Sequence, residues 1–187
     1  MKRAFRKEAL ARRSAIPAAL RSEKSARIRS HVLSLPETRA AGVISIYVDF
    51  RSEVETRELI QALLQLGKTV AVPVVHFDTW ELSFTAIDSL DSLVETEKHL
   101  MEPAPGTGRD IPLEALDLIL TPGAAFDRRG YRMGYGGGFY DRLLSRKRPD
   151  AKAFALAFSE QLVPEVPTDP HDQPLNGIIT EEGLLRI

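Results

Sequence analysis

Chemistry-bearing residues in this chain concentrate between Gly123 and Asp141, where the sequence reads GAAFDRRGYRMGYGGGFYD. Six of the twelve glycines fall between Gly123 and Gly138, and Tyr131, Tyr135 and Tyr140 are three of the four tyrosines. Glycine tolerates positive φ and close backbone approach, so the run Gly134, Tyr135, Gly136, Gly137, Gly138 can turn successive N–H groups toward one anion where a helix begins. Arg132 can add a charge-assisted hydrogen bond to a phosphoryl oxygen, and Asp141 sets a carboxylate within the first helical turn, where phosphate-bound magnesium would need one. The chemistry implied is the alignment of a nucleotide triphosphate. A tight turn with core aromatics beside it would use the same residue types, and residue types alone leave that reading open. No GxxxxGK[ST] segment occurs and the dinucleotide fingerprint is incomplete, which excludes an ordinary P-loop.

Other candidates are weaker taken singly. Lys2, Arg3 and Arg6 read as a solvated face of a first helix, Glu55 as a carboxylate favoured by a helix N-terminus, Phe50 as a core aromatic and Asp172 as an Asx-turn residue. Asp127 and Arg129 flank the glycine run and suit a bracing ion pair. His31, His76, His99 and His171 show no HExxH or similar metal spacing and receive no catalytic role.

These residues must be positioned by strands and helices. The stretch from Lys2 to Leu35 predicts two helices, with Leu10, Ile16, Leu20, Ile28 and Leu33 as buried positions and Pro17 in a first turn. Gly42 to Val48 reads as a strand, followed by an amphipathic helix through Leu59, Ile60, Leu63 and Leu64 that ends at Gly67. Thr69 to Val75 and Glu81 to Ala86 form a strand pair, and a short polar helix leads to a proline- and glycine-containing loop or lid from Glu102 to Pro112. Leu116 to Leu120 is a strand feeding the glycine run and a helix near Phe139 to Ser145; Lys152 to Phe158 and Gly177 to Thr180 are further strands. This alternation predicts an α/β fold in one domain over residues 1–187: an open, mostly parallel sheet flanked by helices in a Rossmann-like three-layer architecture. Ligands then gather beyond the carboxyl ends of the strands, at 49–55 and 123–138.

Composition narrows the classes. With 187 residues, 43% hydrophobic and 27% charged, the chain suits one soluble domain with one core. A formal charge of -1 supplies no global field for a nucleic-acid backbone, so any phosphate site is local. The absence of cysteine excludes disulfides, thiolate catalysis and Cys-ligated zinc, and fits a cytoplasmic location. No signal peptide or membrane-spanning run is read, and no obligatory protein partner is evident.

The segment Thr121 to Asp141 closely resembles the signature of the 5-formyltetrahydrofolate cyclo-ligase family. The resemblance extends to Lys2-Arg3-Ala4-Phe5-Arg6, Glu53-Val54-Glu55-Thr56, Glu102-Pro103 and Pro170-His171-Asp172. Tyr135 stands where the family is often basic, Phe139 where Tyr is frequent and Asn176 where Asp is common. The 102–112 stretch holds no Trp, the one Trp being Trp80.

The resemblance implies an ATP-dependent, magnesium-requiring ligase acting on the small molecules 5-formyltetrahydrofolate and ATP. It implies ATP contacts from Lys2, Arg3, Arg6, Arg132, Gly134, Tyr135, Gly136, Gly137, Gly138, Phe139 and Tyr140, with Arg132 and Tyr140 as catalytic residues. Phe50, Glu55 and Tyr140 are implied as folate contacts, and Asp141 and Asp172 as magnesium ligands. A folate- or nucleotide-binding protein without turnover, and an isomerase or acyl-transferring enzyme on a similar scaffold, are the alternatives.

Overall fold

Strict alternation of side chains along short β-rich runs builds the sheet, because each strand must bury one set of residues upward and the other downward. The computed structural model describes residues 1–187. The first part of the chain forms α1 (Lys2–Ser14), α2 (Ala18–Ser34), α3 (Pro36–Ala40), β1 (Val43–Ile46), α4 (Arg57–Gln65), β2 (Thr69–His76) and β3 (Glu81–Ile87). Then follow β4 (Leu93–Glu95), β5 (Met101–Pro103), β6 (Arg109–Ile111), β7 (Leu118–Thr121), β8 (Ala125–Phe126) and β9 (Arg132–Met133). The last part contributes α5 (Phe139–Arg146), β10 (Lys152–Leu156), β11 (Gly177–Thr180) and β12 (Gly183–Arg186).

Eight strands form one sheet in the order β12-β11-β10-β7-β1-β2-β3-β6. The neighbours from β11 through β2 run parallel, while β12, β3 and β6 are antiparallel at the edges. Ile44, Ile46, Val70, Val72, Leu118, Leu120, Phe154, Leu156 and Ile179 face one side, where they pack with Ile28 and Val32 of α2 and with Leu59, Ile60 and Leu63 of α4. Ala71, Ile119, Ala153, Ala155 and Ile178 face the other side and meet Leu143 and Leu144 of α5. The expected open sheet between helical layers is therefore present, and no helix is long and apolar enough to cross a membrane.

Several local readings change. Leu20 is exposed and Leu10 and Leu33 are only partly buried; Ala9, Arg13, Ser25, Ile28 and Val32 are the buried residues of α1 and α2. No polar helix precedes residue 102. A 3-10 turn at Leu90–Ser92 leads into β4, which pairs antiparallel with β5. The expected loop from Glu102 to Pro112 is present at its centre, residues 104–108, while its ends are strand: β5 ends at Pro103, and β6 adds to the sheet edge through Phe84↔Ile111 and Ala86↔Arg109. Proline is compatible with a short edge strand because its missing N–H costs no central ladder bond, which is why composition hid the strand ends of this stretch. The two-residue hairpin β8–β9 lies hidden within the glycine-rich segment, and β12 was too short to register as a periodic run.

Candidate active site

Beyond the carboxyl ends of β1 and β2 and beside the glycine run lies a cleft of about 400 Å³. Tyr47, Val48 and Phe50 reach it from the end of β1, Pro73 and Val75 from β2, and Pro122 from the end of β7. Gly134, Tyr135, Gly137, Gly138, Phe139, Tyr140 and Asp141 close it from the loop and the start of α5. From β1 the chain proceeds to β2 on one side and from β7 to β10 on the other, and a crevice opens where these directions diverge, as in open α/β sheets. No histidine lines it.

One wall is a buried polar cluster. Arg13 is 2% exposed and donates hydrogen bonds to the Ser52 hydroxyl at 3.1 Å, the Gly123 carbonyl at 3.1 Å and the Tyr135 hydroxyl at 2.9 Å. The Tyr135 hydroxyl in turn donates to the Glu53 carboxylate, whose other oxygen accepts from the Phe50 N–H at 2.9 Å. Arg13 and Glu53 lie 3.9 Å apart. Burial raises the Glu53 carboxyl above its ordinary 4.5, against the pull of the Tyr135 hydroxyl and of Arg13. Burial likewise pushes the Tyr135 and Tyr140 phenols well up, so both stay neutral hydrogen-bonding groups.

The raised Glu53 value has a stability consequence. The folded protein holds this proton more tightly than the unfolded chain, so ionising Glu53 lowers stability, increasingly as pH rises from 4.5 through the folded value. Glu53→Gln should remove that component. Urea midpoints measured across this pH range should fall less steeply for the variant than for the parent, and identical slopes would show that Glu53 ionises without penalty.

A second cluster joins the loop to the chain's first and last segments. The Arg132 guanidinium lies 3.0 Å from Asp141, donates to the Gln173 carbonyl at 3.2 Å and sits over the Tyr140 ring at 5.8 Å. Burial lowers its affinity for its proton and Asp141 restores much of it, so the residue remains a cation. Lys2 bridges Asp169 and Asp172, each at 2.7 Å. Burial pushes the Asp172 carboxyl up, but the Lys2 ammonium and the Asp169 N–H outweigh it and leave the net value lowered. Asp141 accepts from the N–H of Gln173, the residue after Asp172, so the two carboxylates implied as metal ligands occupy one neighbourhood. Asp169, His171 and Asp172 offer ligand atoms within 4.8 Å of one another. Arg6 donates to the Gly134 carbonyl at 2.7 Å and lies against Gly136.

The structure thus gathers Lys2, Arg6, Arg132, the Gly134–Gly138 run, Phe139, Tyr140, Asp141 and Asp172 around the loop, with Phe50 across the cleft. Arg3 is exposed. Glu55 is exposed too, and accepts from Ser22 outside the cleft. The neighbouring Glu53 points inward in its place. Glu53 and Arg13 are the residues sequence reasoning missed, although Arg13 continues the spacing of Lys2, Arg6 and Ala9 along one face of α1. Asp127 is fully buried and receives N–H groups of Arg129, Tyr131 and Val166 together with the Arg129 guanidinium, so this pair braces the loop.

Comparison with known proteins identifies the family and the fold. Residues 1–181 match the model of the 5-formyltetrahydrofolate cyclo-ligase family. The chain is 36% identical to the 5-formyltetrahydrofolate cyclo-ligase of Haemophilus influenzae over 81% of this chain and 82% of that one. It is 32% identical to the enzyme of the same name from Escherichia coli K12, over 90% and 94% of the two chains. The solved structure of Aquifex aeolicus 5,10-methenyltetrahydrofolate synthetase superimposes with a TM-score of 0.85 at 31% identity, covering 99% of this chain and 92% of that one. By sequence across nearly its whole length and by fold, the chain belongs to the 5-formyltetrahydrofolate cyclo-ligase family.

Proposed function

We propose that this protein cyclises 5-formyltetrahydrofolate to 5,10-methenyltetrahydrofolate, converting ATP to ADP and phosphate. The observation that carries the reading is the join of an apolar and aromatic cleft, with the buried Glu53 carboxylate in its wall, to a glycine loop flanked by Arg132 and Arg6, with Lys2 held on Asp172 beside it. The cleft suits a flat heterocycle with hydrogen-bond donors, and the loop suits phosphates.

The terminal phosphoryl group of ATP passes to the formyl oxygen, and its bond to ADP breaks. N10 then attacks the formyl carbon and loses its proton, and the carbon–oxygen bond breaks with phosphate leaving. Both nucleophiles belong to the substrate, so the protein's task is alignment and charge neutralisation. In this reading the loop N–H groups, Arg132, Lys2 and Arg6 hold the phosphates, while Tyr140, Phe50 and Glu53 hold the folate. Glu53 takes the place first given to Glu55, since it lines the cleft and Glu55 does not.

Asp169, His171 and Asp172 offer ligand atoms within 4.8 Å of one another and Asp141 accepts from the adjoining Gln173 N–H, so the hard oxygen donors among them would hold magnesium beside Lys2 and Arg132. When bound, magnesium would offset triphosphate charge.

Protein mixed with 5-formyltetrahydrofolate, magnesium and ATP should develop the methenyl-folate absorbance band, and omission of ATP should abolish it. Binding of both ligands without product would favour the non-catalytic alternative, and ATP-independent turnover would favour a different reaction class.

A further inference from the structure

The charges that line the cleft fall into two groups. Glu53, Arg132, Asp141 and Glu102 are all engaged: Glu53 with Tyr135, Arg132 with Asp141, and Glu102 with the Val75 N–H at 3.0 Å. Arg51 and Lys98 line the same cleft, are exposed, and form neither a salt bridge nor a side-chain hydrogen bond. Each cation lies over an aromatic ring of the cleft wall: Arg51 at 4.6 Å from the Phe50 centroid and Lys98 at 5.7 Å from that of Phe77. Such stacking holds a cation near the apolar rim while leaving its N–H groups free for an anion.

The backbone around this rim is also set apart. The chain has three non-glycine residues with positive φ: Arg51 at 56°, Trp80 at 59° and His99 at 60°. Arg51 carries one rim cation and His99 directly follows the other. Trp80 ends the turn from Phe77 and packs on Phe139, with ring centroids 5.6 Å apart. Left-handed backbone is unfavourable for such side chains and persists where surrounding structure over-determines it, a pattern concentrated at ligand-gripping turns.

We propose that Arg51 and Lys98 form a carboxylate-recognition subsite at the cleft mouth, taking the glutamyl carboxylates of the folate while the pterin lies against Glu53. The assignment rests on the cyclo-ligase reading and adds to it the two residues that set preference for the acidic tail. The cations assigned to phosphate, Arg132 and Arg6, are engaged at Asp141 and at the loop, which leaves the two unpaired charges of the rim for the substrate's other end.

The test compares 5-formyltetrahydrofolate with the same pteroyl compound lacking its glutamate, using the full chain. Arg51→Gln and Lys98→Gln should each raise KM for the glutamylated substrate about fivefold, and the double variant about twentyfold, the scale of exposed ion pairs. The KM for ATP should hold, the preference for the glutamylated compound should shrink by the same factors, and Lys98→Arg should retain it. Added salt should mimic the substitutions in the parent protein and have less effect on the double variant. A direct titration followed through Trp80 fluorescence gives the same comparison without turnover. A double variant with parental preference, or one that loses affinity for both compounds equally, overturns the subsite. Parent protein that cyclises and binds the glutamate-free compound but gains nothing from the glutamate overturns it while sparing the cyclo-ligase reading; failure to bind either compound overturns both.

Discussion

Replacement of Arg132 by Ala is expected to lower kcat/KM for ATP by on the order of 10²- to 10³-fold, while the affinity for 5-formyltetrahydrofolate changes little. Arg132 is the one buried cation lining the cleft, and its position is fixed by Asp141, the Gln173 carbonyl and the Tyr140 ring. Preorganised positive charge beside a transferring phosphoryl group acts mainly in the transition state, where negative charge is spread over its oxygens. Truncation also takes the cation from Asp141, but that carboxylate is part-exposed and keeps the Gln173 N–H, so the stability loss should fall below the about 3–5 kcal/mol of a fully buried pair. The assay therefore belongs well below the variant's Tm. Arg132→Lys separates the two effects, since it restores a charge opposite Asp141 but not the planar fork, and it should recover stability more fully than ATP use. Unchanged ATP dependence in both variants would remove Arg132 from the phosphate site.

A second large effect is expected at Gly134, through the ligand instead of the fold. Its backbone is not left-handed, and an added Cβ would meet no atom within 4 Å. Gly134→Ala should thus change stability by less than about 0.5 kcal/mol. Yet Gly134 lines the cleft, and a methyl group there would hold phosphate off the backbone, raising KM for ATP by roughly 10- to 100-fold, equivalent to about 1.4–2.8 kcal/mol. Gly136 provides the contrast: its φ is 109° and an added Cβ would lie 3.2 Å from the Arg6 guanidinium, so Gly136→Ala should lose about 1–2 kcal/mol of stability. Chemical denaturation and ATP titration of both variants distinguish these outcomes. A Gly134→Ala protein with parental KM would mean that phosphate does not approach the loop there.

Much of this architecture was legible because it rests on periodicities that residues carry individually. Val70, Ala71 and Val72, or Ala153, Phe154 and Ala155, announce a strand with two buried faces, and the glycine run before Phe139 announces a loop that opens a helix. What escaped depends on contacts between distant segments. Glu53 and Glu55 are equivalent in type and lie on an irregular connection, where no period says which one turns inward. The choice is made by the Phe50 N–H and the Tyr135 hydroxyl on one side and by Ser22 on the other. Arg13 looked like one more surface charge of a basic helix, and it is buried only because residues 52, 123 and 135 supply its acceptors. The 102–112 stretch has a loop's composition and a loop at its centre, but its two ends pair with strands from elsewhere, which a local reading cannot foresee.

The bridge from Lys2 to Asp169 and Asp172 spans 170 positions of sequence at its longest. In the proposed reading, the phosphate end of the site is therefore a closure between opposite regions of the polymer. During synthesis, the sheet's first strands can pair long before residues 169–173 exist, but Lys2 has no partner and Asp141 no Gln173 N–H until the ribosome has passed them. In that reading, nucleotide affinity is one of the last properties the molecule acquires. Because a ligand stabilises only the state that binds it, ATP would act selectively on finished chains, raising their resistance to unfolding and leaving truncated or incompletely closed ones exposed to proteolysis.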